Sequence, residues 1–342
     1  MNKKTLVGGF LLGVGVGAAL GRRQRLNRYS FSGRTVVITG GSRGLGLVLA
    51  RQLAQEGAKL VLLARDAEEL HRAEAQLTAS EAKVLVLPCD VRFRSQVSEA
   101  IRRTVERFGQ VDMLINNAGV IQVAPLAHMT VKDFKDAMAI HLYAPLYTTL
   151  AVLPYMRQAG EGRIVNIASI GGKIAVPHLL PYTASKFALV GFSDGLRAEL
   201  RRENIFVTTV CPSLMRTGSP RNAYFKGQHP REYAWFAIGD SLPLLSMDAE
   251  RAARKILGAA RRGSAQLLMG VQTKGAVLFN DLFPGATAAL TSLANRLLPN
   301  PVLEGASQIQ PGHQSQSKWA PSWLTRLSEE AARKNNELPL AE

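Results

Sequence analysis

Short apolar runs alternate with helix-length amphipathic segments along most of the chain, from Phe31 to about Met269. The runs are rich in Val, Ile and Leu, which is typical of strands that are covered on both faces of a parallel sheet. Seven such runs follow one another: RTVVITG, KLVLLAR, KVLVLPC, VDMLINNAG, GRIVNIAS, IFVTTVCP and AQLLMG. The alternation predicts an α/β fold built on a doubly wound, parallel, seven-stranded sheet.

The pattern changes at both ends of this region. Before it lies a glycine-rich, uncharged stretch from Thr5 to Leu20. After Gly270, apolar residues recur at helical spacing, and a polar linker (308–318) precedes a last short helix that begins near Ser322. We therefore divide the chain into an N-terminal membrane anchor (1–30, candidate transmembrane segment 5–21), a central catalytic domain (31–270) and a C-terminal helical extension (271–342).

The N-terminal stretch is short for a membrane span. Sixteen helical residues reach ~24 Å, against a hydrocarbon core of ~30 Å. Four arginines follow it, at positions 22, 23, 25 and 28, and the positive-inside rule keeps such residues in the cytoplasm. We expect an anchor with the catalytic domain facing the cytoplasm. A cleaved signal peptide is the main alternative, and a disordered tail is a third.

Composition narrows the choice of partners. The 342 residues carry a formal net charge of +16, which suits an anionic membrane surface, a nucleic acid or a phosphorylated ligand. Signatures of zinc fingers, homeodomains or RNA-recognition modules are missing from the sequence, so we favour the membrane surface over nucleic acid. The two cysteines, Cys89 and Cys211, end apolar runs and are expected to be packed hydrophobes, and we expect no metal site.

A glycine-rich turn directly follows the first predicted strand and opens the first predicted helix. Its sequence, TGGSRGLG, places glycines at Gly40, Gly44 and Gly46. Glycines allow a sharp turn and a close approach of the backbone to a phosphate, and the helix N-terminus offers free N–H groups. The sequence therefore predicts a dinucleotide site here, with Ser42, Arg43 and Leu45 as further members.

The end of the second strand decides which nicotinamide cofactor is preferred. Arg65, together with Arg43 in the glycine-rich turn, can clamp the 2′-phosphate of NADP by charge-assisted hydrogen bonds. Asp66 is the competing choice, as an acid that grips the ribose of NAD. Because Glu69 follows three residues later, Asp66 also fits a helix N-cap with a capping-box partner. We expect NADP(H).

A tyrosine and a lysine lie four residues apart on a later predicted helix, at Tyr182 and Lys186. They therefore share one face of that helix. A phenol has a pKa near ~10, and a nearby ammonium favours its ionised form. Tyr182 can then act as a general acid in reduction and as a general base in oxidation.

Together these motifs resemble the short-chain dehydrogenase/reductase family, over roughly residues 32–269. The resemblance implies a Rossmann-like sheet, a catalytic Ser169 that polarises the substrate carbonyl, and a Lys186 that also binds the nicotinamide ribose. It further implies a cofactor wall after the third, fourth and sixth strands. The wall residues are Asp90, Val91, Asn117, Ala118, Gly119 and Thr217.

The chain departs from the family at two positions. His141 stands where the family usually has an asparagine that holds a water of the proton relay, so His141 is either an altered relay member or a core residue. Ser213 replaces a glycine of the family's PGxxxT segment, which puts the local backbone shape in doubt.

The resulting hypothesis is an NADP(H)-dependent oxidoreductase that acts on a carbonyl or secondary alcohol. Aromatic and apolar residues between positions 218 and 247 favour a hydrophobic substrate, although they also fit a simple packed lid. A small polar carbonyl is an alternative substrate, and a membrane-associated NADP-binding scaffold or sensor without turnover is an alternative function. The family often forms dimers or tetramers, so a homo-oligomer is possible here as well.

Overall fold

A computed structural model describes residues 29–242, 246–302 and 308–338. The predicted transmembrane segment at 5–21, and all of the anchor except Tyr29 and Ser30, lie outside the described residues.

The centre of the described part is a parallel seven-stranded sheet, as predicted. Its order is β7–β6–β5–β4–β1–β2–β3, so the direction of winding reverses between β1 and β4. The strands are β1 (Thr35–Thr39), β2 (Lys59–Ala64), β3 (Lys83–Pro88), β4 (Met113–Asn116), β5 (Gly162–Ile167), β6 (Ile205–Cys211) and β7 (Gln266–Leu268).

Both faces of the sheet are covered by helices, which explains why the strands are apolar throughout. Successive side chains point to opposite faces: Val36 and Ile38 belong to one buried cluster, and Val37 belongs to the other. The helices are α1 (Gly44–Gln55), α2 (Ala67–Thr78), α3 (Arg94–Phe108), α4 (Val131–Met138), α5 (Ala144–Ala159), α6 (Leu180–Leu200), α7 (His229–Ser241), α8 (Ala249–Arg261), α9 (Val271–Leu282), α10 (Pro284–Asn295) and α11 (Arg326–Lys334). Helices α1, α2 and α8 cover one face, and α3 and α5 cover the other.

One continuous helical run in the described part is long and apolar enough to cross a membrane. It extends over Val131–Ala159 and joins α4 to α5 through a π-helical turn at Ala139–Tyr143. Several of its apolar residues, including Val152 and Met156, are fully buried in the core. Part of its hydrophobicity is therefore explained by packing against the sheet, and the run is weak evidence for a membrane span.

The segment that the sequence predicts to be a polar linker is packed against the domain. Gln310–Pro311 pairs with the short strand Tyr224–Phe225, and Gly312 lies so close to Pro220 that a Cβ there would be 2.0 Å from its carbonyl oxygen. The last helix, α11, follows a helical turn that Ser322 caps. Most side chains of this segment are exposed, but close backbone contacts hold it against the domain.

The two helices after β7 have an unusual distribution of apolar residues. The sequence predicts amphipathic helices after Gly270, and α9 and α10 do form there. In α10, however, no residue is buried, and large apolar side chains of both helices are exposed. We call α9 and α10 together the apolar hairpin.

Replacing a leucine by alanine should have very different effects on stability in the core and in the apolar hairpin. Leu60→Ala removes a fully buried side chain from β2 and should lower the free energy of unfolding by about 2–5 kcal/mol. Leu290→Ala removes an exposed leucine from α10 and should change it by less than about 0.5 kcal/mol. Urea denaturation of both variants measures the two values, and equal losses would contradict the described burial.

Candidate active site

The carboxyl ends of β1 and β4 form the crevice at which the sheet reverses its winding. In open α/β sheets, ligands bind at such a switch point. The glycine-rich loop follows β1, and Asn117, Ala118 and Gly119 follow β4. The structure thus brings together two of the sequence-predicted cofactor elements.

Asn117 joins the ends of these two strands. Its side-chain amide donates to the carbonyl oxygens of Thr39 and Gly40, at 3.1 Å each. In return, the Thr39 hydroxyl accepts from the backbone N–H groups of Asn117 and Ala118, at 3.0 Å each. These four hydrogen bonds fix the glycine-rich loop against the end of β4.

Two glycines of the loop are required by its geometry. Gly40 has φ +63°, a conformation that favours glycine, and a Cβ at Gly46 would lie 2.0 Å from the Gly40 carbonyl oxygen. The side chain of Leu45 is buried beneath the loop. The first turn of α1 can therefore approach the loop without any side chain between them.

The arginine inside the loop already has an acidic partner. Arg43 pairs with Glu69 at 2.5 Å, and the Ser42 hydroxyl donates to the same carboxylate at 2.9 Å. Asp66 accepts from the backbone N–H of Glu69, so the predicted N-cap of α2 is present. The second hydrogen bond of a capping box, from the Asp66 N–H to the Glu69 side chain, is not formed, because that side chain contacts Arg43 and Ser42. Arg65 is exposed and forms no ion pair with any described carboxylate.

A C-terminal segment that the sequence did not connect to the site lies in this loop. The backbone N–H of Gly44, at the start of α1, donates to the carbonyl oxygen of Asn335 at 2.9 Å. Asn336 donates from its side chain to the Ser42 carbonyl oxygen at 2.8 Å. The Glu337 carboxylate lies 3.6 Å from Arg43 and would contact any Cβ at Gly44. We call Asn335–Glu337 the tail.

The remaining predicted wall residues have partners within the protein. The Asp90 carboxylate pairs with Arg92, and this hydrogen-bonded contact lowers the pKa of Asp90. Val91 is buried after β3, and Thr217 is buried after β6, where its hydroxyl accepts from Ser219. Asp90 is therefore fixed as an anion at the end of β3.

Ser169, Tyr182 and Lys186 come together beside β5. Tyr182 is hydrogen-bonded to Ser169, and the Lys186 ammonium lies 5.6 Å from the centre of the Tyr182 ring. Lys186 is buried and donates to the carbonyl oxygen of Ile167 at 2.8 Å. Ser169 and Tyr182 are only half-buried, so their hydroxyl groups border the cleft while the lysine approaches from the protein side.

Burial shifts the two titrating groups of this cluster in opposite directions. It raises the pKa of Tyr182, an effect that the hydrogen bond with Ser169 partly offsets. It lowers the pKa of Lys186 to about 7. The lysine is therefore fully charged only below neutral pH, and Tyr182 keeps its proton at neutral pH. A phenol that is protonated and hydrogen-bonded at the cleft can donate a proton.

His141 is buried, and the protein satisfies both of its ring nitrogens. Nε2 lies 3.2 Å from the Val120 N–H, which donates to it, so Nδ1 carries the hydrogen and donates to the Ser185 hydroxyl at 2.7 Å. Burial holds the pKa of His141 well below its ordinary value. The ring also meets Tyr182 edge-on, with 5.4 Å between centroids. This geometry makes His141 a neutral support for the Tyr182 helix, with no ring nitrogen left over to hold a relay water.

Comparison with known proteins identifies the family. The family model described as short chain dehydrogenase matches residues 34–225, more than half of the chain. This chain belongs to the short-chain dehydrogenase/reductase family. The matched region includes the glycine-rich loop, the Asn117 segment and the Ser169, Tyr182 and Lys186 cluster, so the short-chain dehydrogenase fold and its oxidoreductase class apply to the part of the chain that carries the site.

Among curated relatives, the ketoacyl reductase HetN of Nostoc sp. is 37% identical over 183 residues. The alignment covers 54% of this chain and 64% of HetN, so it spans slightly less than two thirds of that protein.

Solved short-chain dehydrogenases have the same fold. A metagenomic short-chain oxidoreductase in complex with NADP is 36% identical, with a TM-score of 0.52, over 54% of this chain and 84% of that one. The 3-ketoacyl-(acyl-carrier-protein) reductase of Brucella melitensis, complexed with NADH, has a TM-score of 0.61 over 70% of this chain and 97% of its own. Its 23% identity shows a shared fold alone.

Sequence reasoning missed two features that the structure shows. The tail carries no recognisable motif. Its contact with the start of α1 is seen only in the folded chain. The second feature is a buried pair in which His178 Nδ1 lies 2.9 Å from the carboxylate of Glu232, which Trp235 also contacts. His178 and Glu232 are 54 residues apart in sequence, and no spacing signal links them.

Proposed function

We propose that this short-chain dehydrogenase/reductase is an NADP(H)-dependent enzyme that interconverts a carbonyl and a secondary alcohol in a hydrophobic substrate. The observation that carries the proposal is the cluster of Ser169, Tyr182 and Lys186 at the edge of the cleft, beside a glycine-rich loop built for a dinucleotide.

Each member of the cluster has a distinct task. Ser169 holds the substrate oxygen by donating a hydrogen bond, which polarises the carbonyl. Tyr182 gives its proton to that oxygen during reduction and takes it back during oxidation. Lys186, fixed by the Ile167 carbonyl, supplies in its protonated form the positive charge that favours loss of the Tyr182 proton.

The glycine-rich loop fits the anionic part of a dinucleotide. The carboxylate of Glu337 already lies against Gly44, and the Gly44 N–H has an oxygen acceptor. The start of α1 thus accommodates an acidic group and a hydrogen-bond acceptor, as a diphosphate requires. When bound, the nicotinamide ring supplies or receives the hydride, and Lys186 and Tyr182 are the residues that would lie against its ribose.

The preference for NADP(H) rests on Arg65 and Arg43. Arg65 stands at the end of β2, is exposed and forms no direct ion pair with a described carboxylate, although its charge helps to lower the pKa of Asp90; Asp66 is engaged as an N-cap. An exposed arginine suits the 2′-phosphate of NADP, and an N-cap carboxylate is less free to grip a ribose.

The hydrophobic character of the substrate is supported by the residues beside Tyr182. Tyr182 packs against a buried apolar cluster that backs this side of the cleft, formed by Val123, Leu179, Phe225, Tyr233 and Phe236. A cleft with an apolar wall and a few polar groups selects an apolar substrate that carries one polar function.

Replacing the tyrosine tests the chemistry. Tyr182→Phe removes the transferable proton and one hydroxyl beside the nicotinamide ribose, but it leaves Lys186 and the glycine-rich loop in place, so turnover should fall by ~10²-fold or more. The affinity for NADPH should stay nearly unchanged. The rate is measured as NADPH oxidation with the best substrate from a panel of steroids, retinoids, long-chain 3-oxo compounds and quinones. A variant that keeps more than about a tenth of the rate refutes this role of Tyr182.

Charge reversal at the end of β2 tests the cofactor preference. Arg65→Asp deletes a phosphate clamp and supplies a ribose acceptor, so the ratio of the NADPH and NADH dissociation constants should move towards NADH by about 10- to 100-fold. Arg103→Asp on the exposed side of α3 makes the same change of charge away from the cleft and is the control. Equal ratios in wild type and Arg65→Asp would mean that Arg65 takes no part in cofactor choice.

A further inference from the structure

The apolar hairpin exposes a stripe of large side chains opposite to the face that it buries. In α9 the buried residues are Thr273 and Val277, whereas Val271, Leu278 and Leu282 share the opposite face at i, i+7 and i+11. Val271 is 85% exposed and Leu282 is 62% exposed. The stripe continues on the second helix and just beyond it through Leu290, Leu293 and Leu297.

A basic cleft of about 630 Å³ adjoins the beginning of α9. Five cations line it, and Val271 of the apolar hairpin lines the same cleft. The cations are Arg251, Arg254, Lys255, Arg262 and Lys274. Among the described residues, none of the five forms an ion pair with a carboxylate. The surface therefore combines unpaired positive charge with exposed apolar side chains.

We propose that the apolar hairpin and the basic cleft together form a docking surface for an anionic lipid membrane. Acidic headgroups satisfy the five cations, while the apolar stripe enters the boundary between headgroups and acyl chains. Each 12-residue helix is ~18 Å long, too short to cross a hydrocarbon core of ~30 Å, so the hairpin lies in the interface plane.

The cations argue against a second copy of this chain as the occupant. A symmetric dimer through this surface would bring two sets of five unpaired cations together, which is unfavourable. Where the described chain begins, Arg261 at the end of α8 lies over the Phe31 ring at 4.9 Å. The predicted N-terminal anchor thus joins the domain beside α8, which carries three of the five cations and is followed directly by a fourth, Arg262.

Site-specific labelling of the full chain tests the docking surface. A polarity-sensitive dye is attached through Leu282→Cys in the stripe, or through Ser98→Cys on α3 as the control. The native Cys89 and Cys211 are buried. With phosphatidylglycerol-containing vesicles, the emission of the dye at position 282 should shift to the blue, and brominated acyl chains should quench it. The emission of the dye at position 98 should do neither. This readout separates docking of the hairpin from attachment through the N-terminus.

A second comparison tests the charge. In the Leu282→Cys chain, Arg254→Gln with Lys255→Gln should raise the phosphatidylglycerol fraction needed for the half-maximal shift. Removal of two charges from α3, by Arg94→Gln with Arg103→Gln, should leave it unchanged. A bound chain whose label at 282 does not respond overturns the proposal. So does a label that is already shielded without vesicles in a chain that sediments as a dimer.

The tail carries a second, independent inference. Its backbone oxygen and its carboxylate occupy the start of α1, where the diphosphate of the proposed cofactor would lie, and its Asn336 is tied to Ser42. We infer that the tail is an internal competitor that must leave the glycine-rich loop before the dinucleotide binds. This inference rests on the proposed cofactor site.

Charge makes this competition depend on pH. Glu337 faces Arg43 and Glu69 at the loop, Asn222 beside the cleft, and Asp240 of α7, which in turn faces Arg216. Burial raises the pKa of Glu337 to about 7 from an ordinary value of 4.5. Docking therefore favours the protonated carboxyl, and the docked tail loses stability as the pH rises from about 4.5 to about 7, above which the loss levels off.

Fluorescence titration of the full chain with NADPH tests the competition without turnover. Glu337→Ala should bind NADPH about tenfold more tightly than wild type at pH 6, and the difference should shrink at pH 8. Glu337→Gln keeps an uncharged, docked side chain, so its binding of NADPH should stay weak at both pH values. Glu330→Ala on α11 is the control. Equal or weaker binding by Glu337→Ala overturns the inference, whereas failure of all variants to bind NADPH instead rejects the proposed cofactor site.

Discussion

The hydrogen bonds of Asn117 and Thr39 fix the relative positions of the two turns from which the site is built. The sheet fixes β1 and β4 as neighbours, and these side-chain hydrogen bonds fix the loop after β1 against the turn after β4. The close packing of Gly46 on Gly40 then sets where α1 begins, and thus where its N-terminus points. Parallel strands end at one edge of the sheet, so Ser169 after β5 faces the same crevice.

The fold and the main chemistry of the site were predictable from the sequence because they depend on local patterns. Apolar runs in alternation with helices predicted the sheet, and the spacing of Tyr182 and Lys186 predicted a shared helix face. Asp66 as an N-cap was likewise readable from Glu69 three residues later, although the side chain of Glu69 went to Arg43 instead.

What the sequence did not predict depends on contacts between distant segments. The tail reaches Gly44 across nearly the whole chain, and no local pattern marks it. Helical spacing predicted α9 and α10, but it could not tell which face would be buried, because both faces contain apolar residues. For His141 the sequence left two roles open, and the contacts with Val120 and Ser185 explain why a buried, neutral ring fits there.

Two regions of the described chain differ in how their cations are partnered. At the crevice, acidic side chains of the protein itself surround a cation: Glu69 and Glu337 both lie at Arg43. At the basic cleft, five cations lack such partners within the described chain. The apolar hairpin also touches the catalytic side of the domain, since Asn280 donates to the carbonyl oxygen of Lys173, four residues after Ser169. A membrane-docked hairpin and a hydrophobic substrate would therefore meet on one side of the molecule.

The most direct test of the central claim follows the hydride itself. The full chain is incubated with NADPH that carries deuterium at C4 of the nicotinamide and with a panel of hydrophobic ketones, and the products are analysed by mass spectrometry. The account predicts an alcohol with one deuterium on the former carbonyl carbon, formed in proportion to the NADPH consumed. A chain that binds NADPH but transfers no deuterium to any ketone of the panel would contradict it and would favour a dinucleotide-binding protein without turnover.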